Sequence, residues 1–265
     1  MSKIYCIANQ KGGVGKTTTA VNLAAALAEM SYRVLLIDLD PQGNATTGSG
    51  IDKVKLLPSI YEAIIGQADL KRVITHSQNG YDVAGANRRL ASAEEELLGA
   101  EQKELALKKL LSPLEDEYDV VLIDCPPTLS ILTINAFSAS AGLIIPMTCE
   151  YFSLEGVSDL LLTIRAVREQ INGDLVISGL LRVKFDPRIT LQRQVSDQLT
   201  EFFGKSMFGS VVPTNVRLAE APSHGLSGLN YDSSSRGAQA YRSFAEEFAK
   251  REKLHKLIKR GKKGK

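Results

Sequence analysis

The chain has 265 residues, of which 44% are hydrophobic and 23% charged, and its formal net charge is +2. Global disorder is excluded, because it requires low hydrophobicity combined with high net charge, and no run approaches the roughly 20 apolar residues of a membrane-crossing helix. The charge is uneven: residues 250–265 hold nine Lys/Arg against one Glu, so this tail carries +8 and the rest of the chain −6. Cys6, Cys125 and Cys149 are odd in number and widely spaced, which argues against a disulfide framework or a zinc site and for reduced structural thiols in the cytoplasm.

Residues 4–8 read as a short apolar strand running directly into Gln10-Lys11-Gly12-Gly13-Val14-Gly15-Lys16-Thr17-Thr18, which leaves no place for a signal peptide. Residues 17–29 follow as a helix, with Ala20, Leu23, Ala24 and Leu27 sharing one face. A second strand at 34–38 is almost wholly apolar, as strands buried on both faces are, and leads into Asp38-Leu39-Asp40-Pro41-Gln42-Gly43-Asn44. Between 48 and 117 the pattern is weaker and more helical. Ser59 caps a short helix through Ile65, residues 81–84 form a strand, and 101–111 form a helix. The apolar strand pattern returns at 120–124, 143–146 and 176–183, and amphipathic helices are expected at 153–170, 190–203 and 235–259. Such alternation predicts an α/β, P-loop NTPase-like fold: a mostly parallel twisted sheet with helices on both faces. One domain over 1–250 and a basic tail over 251–265 are expected.

The loop at 10–18 carries the chemistry. Glycines at 12, 13 and 15 let backbone N–H groups converge on phosphate oxygens, and the following helix adds its dipole. Lys16 stands where a lysine reaches the outer phosphates, and Thr17 where a hydroxyl meets Mg²⁺. The ordinary pattern would put its first glycine at Gln10 and has no equivalent of Lys11. Lys11 lies on the far side of the turn from Lys16, so it needs a second phosphate, for which a partner subunit's nucleotide is the obvious source. Asp124 ends a strand where a Walker B carboxylate holds Mg²⁺ directly or through water; Asp38 orients Mg²⁺-bound water, and Asp40 positions the attacking water. An ordinary aspartate is a feeble base at neutral pH, so slow intrinsic hydrolysis that needs stimulation is expected.

Lys-Gly-Gly-Val-Gly-Lys-Thr-Thr at 11–18 resembles the deviant Walker A loop of the ParA/MinD ATPases. The resemblance extends almost end to end to the chromosomal ParA (Soj) proteins through 38–44, Asp124-Cys125-Pro126-Pro127-Thr128-Leu129, Cys149-Glu150-Tyr151-Phe152-Ser153-Leu154-Glu155-Gly156 and Val212-Pro213-Thr214-Asn215-Val216-Arg217-Leu218-Ala219-Glu220-Ala221-Pro222-Ser223. It implies an Mg²⁺-dependent ATPase that forms a nucleotide-sandwich homodimer. Gly12, Gly13, Val14, Gly15, Lys16, Thr17 and Thr18 would hold ATP; Lys11 would cross to the partner's ATP; Thr17, Asp38 and Asp124 would serve the metal; Asp40 would be required for hydrolysis; Pro213 and Asn215 would pack against adenine. It further implies non-specific binding of double-stranded DNA by the ATP-dimer, release by a ParB-like centromere-binding protein, and a nucleoid-associated role in DNA segregation.

Candidate DNA cations are Arg182, Lys184, Arg188, Arg193, Lys205, Arg217 and Arg236, with Arg217 and Arg236 matching regions that carry DNA contacts in the family. The phosphate loop starts too early for a preceding helix-turn-helix, so operator binding is not expected. Leu254, Leu257 and Ile258 lie at helical spacing among lysines. That tail reads as a solvated helix end, a DNA-assisting segment, or a MinD-like membrane anchor; the last belongs to the alternative of a division-site positioning ATPase. A metabolic class, reductase iron proteins and ATP-dependent synthetases, shares the loop, but only Cys125 lies near the expected interface, which disfavours a shared cluster.

Overall fold

Short apolar runs set the central strands, because each can be buried on both faces. In the computed structural model, which describes residues 2–114, 116–151 and 153–257 and omits the side chains of 153–156, eight strands form. They are β1 (Lys3–Ile7), β2 (Val34–Asp38), β3 (Ile74–His76), β4 (Asp82–Ala84), β5 (Val120–Asp124), β6 (Gly142–Met147), β7 (Val176–Val183) and β8 (Met207–Val212). Their order across one sheet is β3-β4-β2-β5-β1-β6-β7-β8, parallel throughout except for the β3–β4 pair.

The first half of the chain supplies helices α1 (Lys16–Glu29), α2 (Asn44–Gly48), α3 (Ile60–Ile64), α4 (Leu70–Val73), α5 (Ala93–Leu98) and α6 (Ala106–Leu111). The second half supplies α7 (Ile131–Ala139), α8 (Ser153–Gln170), α9 (Thr190–Phe203), α10 (Val216–Glu220), α11 (Gly228–Tyr231) and α12 (Arg236–Arg251). Successive strand side chains point to opposite faces, and this divides the core in two. Tyr5, Ile7, Leu36 and Leu122 pack with α1 and α12; Cys6, Leu35, Ile37 and Ile123 pack with α3 to α9. On the α12 side, Phe244 meets Phe208 and Phe248 meets Tyr5 edge-on, with centroids 4.9 and 4.8 Å apart, a favoured aromatic geometry. All three cysteines are buried and free, as expected.

β8 is an edge strand, and open edges template unwanted pairing. Side chains cover this one: the Glu247 carboxylate accepts from Gly209 N and Ser210 N, both at 2.7 Å, and Arg251 donates to the Met207 and Lys205 carbonyls.

The structure departs from the sequence reading in several places. The last helix stops at Arg251 rather than 259, because Lys253 turns left-handed at φ 48° and Leu254 N bonds back to Ala249 O. Leu254 is thereby buried in the core and Leu257 N–H donates to Asp119 Oδ1, so no amphipathic tail helix forms through 257; Ile258 and the remaining cations lie outside the described residues. The helix expected over 101–111 begins only at Ala106, after left-handed Gln102. Strands β3 and β8 and helix α7 were not expected. No helix of the described residues is long and apolar enough to cross a membrane.

Candidate nucleotide and metal site

The site lies at the carboxyl ends of the central strands. Register places Ile7 beside Asp124 and Asp38 on the other side of Asp124, so the glycine loop and both carboxylates start from one level of the sheet. Asn9 anchors the loop base, donating to Pro146 O at 2.8 Å and accepting from Lys11 N at 3.0 Å. Gly13 and Gly15 sit at φ 74° and 77°, left-handed positions that a side chain would strain, and Gly15 hands the chain to α1. Lys16 is 8% exposed and folds over the turn, its Nζ donating to Lys11 O at 3.2 Å. Burial lowers the pKa of its ammonium, and Asp124 offsets part of that shift.

The carboxylates are arranged unequally. Asp38, fully buried, accepts three bonds: Thr46 N at 2.8 Å and Thr46 Oγ1 at 2.7 Å on Oδ2, and Asp40 N at 3.2 Å on Oδ1. Asp124, also fully buried, accepts only from Thr17 Oγ1, at 2.7 Å on Oδ2, while its Oδ1 has no partner among the described residues. Burial raises both carboxyls above the usual range, and for Asp124 the neighbouring Asp38 charge adds to it. Three donors favour the charged form of Asp38 and only one that of Asp124, so burial pushes the Asp124 carboxyl up with less to oppose it. An orphaned buried carboxylate oxygen beside a threonine hydroxyl is the donor set a hard divalent cation such as Mg²⁺ takes. Asp40, two residues beyond Asp38, is 8% exposed and accepts from Gln42 N at 2.9 Å, which fixes its side chain.

Lys11 points away from Lys16 and forms an ion pair with Glu150, just beyond β6, with both side chains partly exposed. The Lys11 ammonium holds the Glu150 carboxyl below the usual range. A cavity of about 240 Å³ opens beside the loop, lined by Gly15, Thr18, Val212, Pro213, Asn215 and Tyr241 among others. Its size suits a purine ring. The Asn215 side chain also caps α10 through Leu218 N at 3.2 Å. A larger open groove of about 740 Å³ lies elsewhere, along α8, and contains neither the glycine turn nor a strand-end carboxylate.

The basic residues expected on a DNA surface do not form one patch. The Arg182 guanidinium turns inward, donating to Ser196 Oγ at 2.9 Å and Phe208 O at 3.1 Å over the Phe185 ring, so it braces α9 and β8 instead. Lys184 reaches the phosphate loop, donating to Gly13 O at 2.8 Å. Arg188 is exposed and clasped by the Asp186 carboxylate through Nε and Nη2. Arg217 pairs with Glu220 at 2.9 Å and with Asp232 at 3.4 Å, and Asp232 lies just before α12, whose first residue is the exposed Arg236. Of the seven candidates, Arg217 and Arg236 share one region, on either side of Asp232. Sequence reasoning also missed Thr46, Glu150 and Asn9. Thr46 leaves no sequence signal, whereas Asn9 is signalled by its place at the mouth of the loop.

A family model described as an AAA domain matches residues 2–177. The sporulation initiation inhibitor protein Soj of Bacillus subtilis strain 168 is 47% identical over 250 residues, covering 94% of this chain and 99% of that one. The chromosome partitioning protein ParA of Myxococcus xanthus strain DK1622 is 43% identical over 253 residues, covering 95% and 89%. Among solved structures, cobyrinic acid a,c-diamide synthase from Mycobacterium smegmatis with bound ADP and magnesium superposes with a TM-score of 0.85 at 36% identity, covering 97% and 98%. The same synthase has also been solved with an ATP analogue and magnesium. Near-complete coverage by relatives named Soj and ParA, on top of the loop with its second lysine, settles the lineage: this chain belongs to the ParA/Soj family of chromosome-partitioning ATPases.

Proposed function

We propose that the protein is an ATP-dependent DNA-partitioning ATPase acting on the nucleoid, in which ATP binding drives homodimerisation and hydrolysis reverses it. The observation that carries this reading is the division of labour between two lysines of one loop: Lys16 lies over the glycine turn, while Lys11 projects outward to Glu150. A lysine outside its own cradle suits a phosphate presented by a second subunit. The Soj and ParA relatives at 43–47% identity outrank the synthase at 36% as guides, so the synthase's chemistry remains that protein's own.

Within one subunit, backbone N–H groups of 12–18 and Lys16 bind the phosphates, Pro213 and Asn215 flank the purine, and Thr17 with Asp124 hold Mg²⁺. Bound there, Mg²⁺ supplies charge neutralisation of the phosphoryl oxygens. Asp38, fixed by Thr46, keeps the Asp40 backbone in place, and Asp40 positions the attacking water. Positioning without a strong base gives slow turnover, leaving room for a ParB-like activator. Arg217 and Arg236 form the DNA surface. A cation in the first turn of a helix opposes the macrodipole, so Arg236 is not there for the sake of helix stability.

Sedimentation and nucleotide binding test the scheme. Lys16→Ala should abolish ATP binding, Lys11→Ala should bind ATP yet stay monomeric, and Asp40→Ala should accumulate an ATP-dimer. Arg217→Glu should dimerise normally but lose salt-sensitive DNA retention. A Lys11→Ala protein that dimerises would refute the cross-subunit role, and ATP-dependent vesicle binding without DNA binding would favour the membrane alternative.

A further inference from the structure

We propose that Lys184 is a positioning residue of the nucleotide site, a third cation that sets the phosphate turn from outside; this rests on the ATPase reading above. It follows β7 directly and occupies a left-handed conformation at φ 53°. That is uncommon for a side chain of its size, and such conformations persist where surrounding contacts over-determine them. Here the contacts converge on the site. Lys184 Nζ donates to Gly13 O at 2.8 Å, Lys184 O accepts from Thr214 Oγ1 at 3.3 Å, and Val183 lies 3.5 Å from where a Cβ of Gly15 would stand. Residues 183–184 therefore clasp both left-handed glycines of the turn, and together with Thr214 they form part of the wall of the purine cavity.

The consequence follows from peptide geometry. In a trans peptide the C=O and the following N–H point in opposite directions. An ammonium holding the Gly13 carbonyl outward therefore turns the Val14 N–H the other way, toward the turn's interior where phosphate oxygens are bound. Lys184 also adds positive charge near Lys11, and both cations act on Glu150. Its hydrogen bond to the loop means that it does not contribute to the DNA surface, where its charge alone would have placed it.

Lys184→Met keeps the aliphatic stem and removes the donor, and Lys184→Arg keeps a cation. Fluorescent ATP-analogue titration and ATPase kinetics on the full chain should show Lys184→Met weakening nucleotide affinity and raising KM about fivefold, the scale of losing one exposed charged hydrogen bond. The kcat at saturating ATP should change less than twofold, Lys184→Arg should recover most of the affinity, and DNA retention at saturating ATP should match the unaltered protein. Unchanged nucleotide affinity in Lys184→Met, with DNA retention lost, would overturn the proposal and return Lys184 to the DNA surface. Failure of Lys184→Arg to recover any affinity would also count against it. An unaltered protein that bound no ATP would instead overturn the ATPase reading itself.

Discussion

Replacing Thr46 by valine should cost more stability than its size suggests. The Thr46 side chain is completely buried; its hydroxyl donates to Asp38 Oδ2 at 2.7 Å and accepts from Ala86 N at 2.8 Å. Valine fills the same volume, so no cavity forms and the loss is purely polar. The bond to a carboxylate is worth about 1.5–3 kcal/mol, and leaving the Ala86 N–H buried without a partner costs about 1–3 kcal/mol. Thr46→Val should therefore destabilise the fold by about 3–5 kcal/mol, a large part of the ~5–15 kcal/mol typical of a domain. Urea unfolding would show this as a lower midpoint with an unchanged slope. Thr46→Ser, which keeps the hydroxyl, should lose only about 1 kcal/mol. Because Asp38 also holds Asp40 N, ATP turnover should fall in Thr46→Val well below folding-limited loss. A Thr46→Val midpoint equal to that of Thr46→Ser would refute the reasoning.

Asp124→Asn should stabilise the nucleotide-free protein at alkaline pH while removing Mg²⁺-dependent hydrolysis. The folded carboxyl titrates above its unfolded value, so its contribution favours folding at low pH and is lost as pH rises through the folded pKa; an amide escapes that loss, by about 1–3 kcal/mol. For the same reason Mg²⁺ affinity, read by calorimetry, should rise with pH, and a flat profile would contradict the raised Asp124 carboxyl. Glu247→Ala should unfold at lower urea, by about 2 kcal/mol, and scatter more light on warming, because the Gly209 and Ser210 N–H groups of edge strand β8 lose their acceptor. Glu150→Gln should let Lys11 reach a partner at several-fold lower ATP, since an exposed pair is worth up to about 1 kcal/mol. Dimerisation needing more ATP would show that Glu150 assists assembly instead of restraining Lys11.

The elements that place the nucleotide site were legible because they are the most patterned. β1, β2 and β5 are apolar on both faces, each leads straight into its functional residue, and the loop glycines are spaced by the chemistry they serve. Helix α7 escaped because Ile131–Ala139 is apolar on nearly every side, so no helical period shows. β8 escaped because Gly209 and Ser210 interrupt its apolar run, and Glu247 compensates from a helix distant in sequence. The basic residues misled for a related reason. Arg182 and Lys184 have identical formal charge and near-identical position in the chain, yet one faces inward and the other reaches the loop. Two residues apart, they would share a face by strand alternation; the left-handed turn at Lys184 separates them, and it is not visible in a count of cations.

The two ends of the described chain meet. Ser2 Oγ donates to Tyr118 O at 2.6 Å, Lys3 Nζ bonds the carbonyls of Glu252 and Lys253, and Leu257 N reaches Asp119 just ahead of β5. This junction lies where the central strands begin, one strand length, roughly 16 Å, from the carboxylates where they finish. Residues 2–257 thus form nearly a closed ring, of the kind that tolerates circular permutation. A short linker from Leu257 to Ser2, with a new opening at an exposed loop such as 52–57, would leave the strand ends untouched.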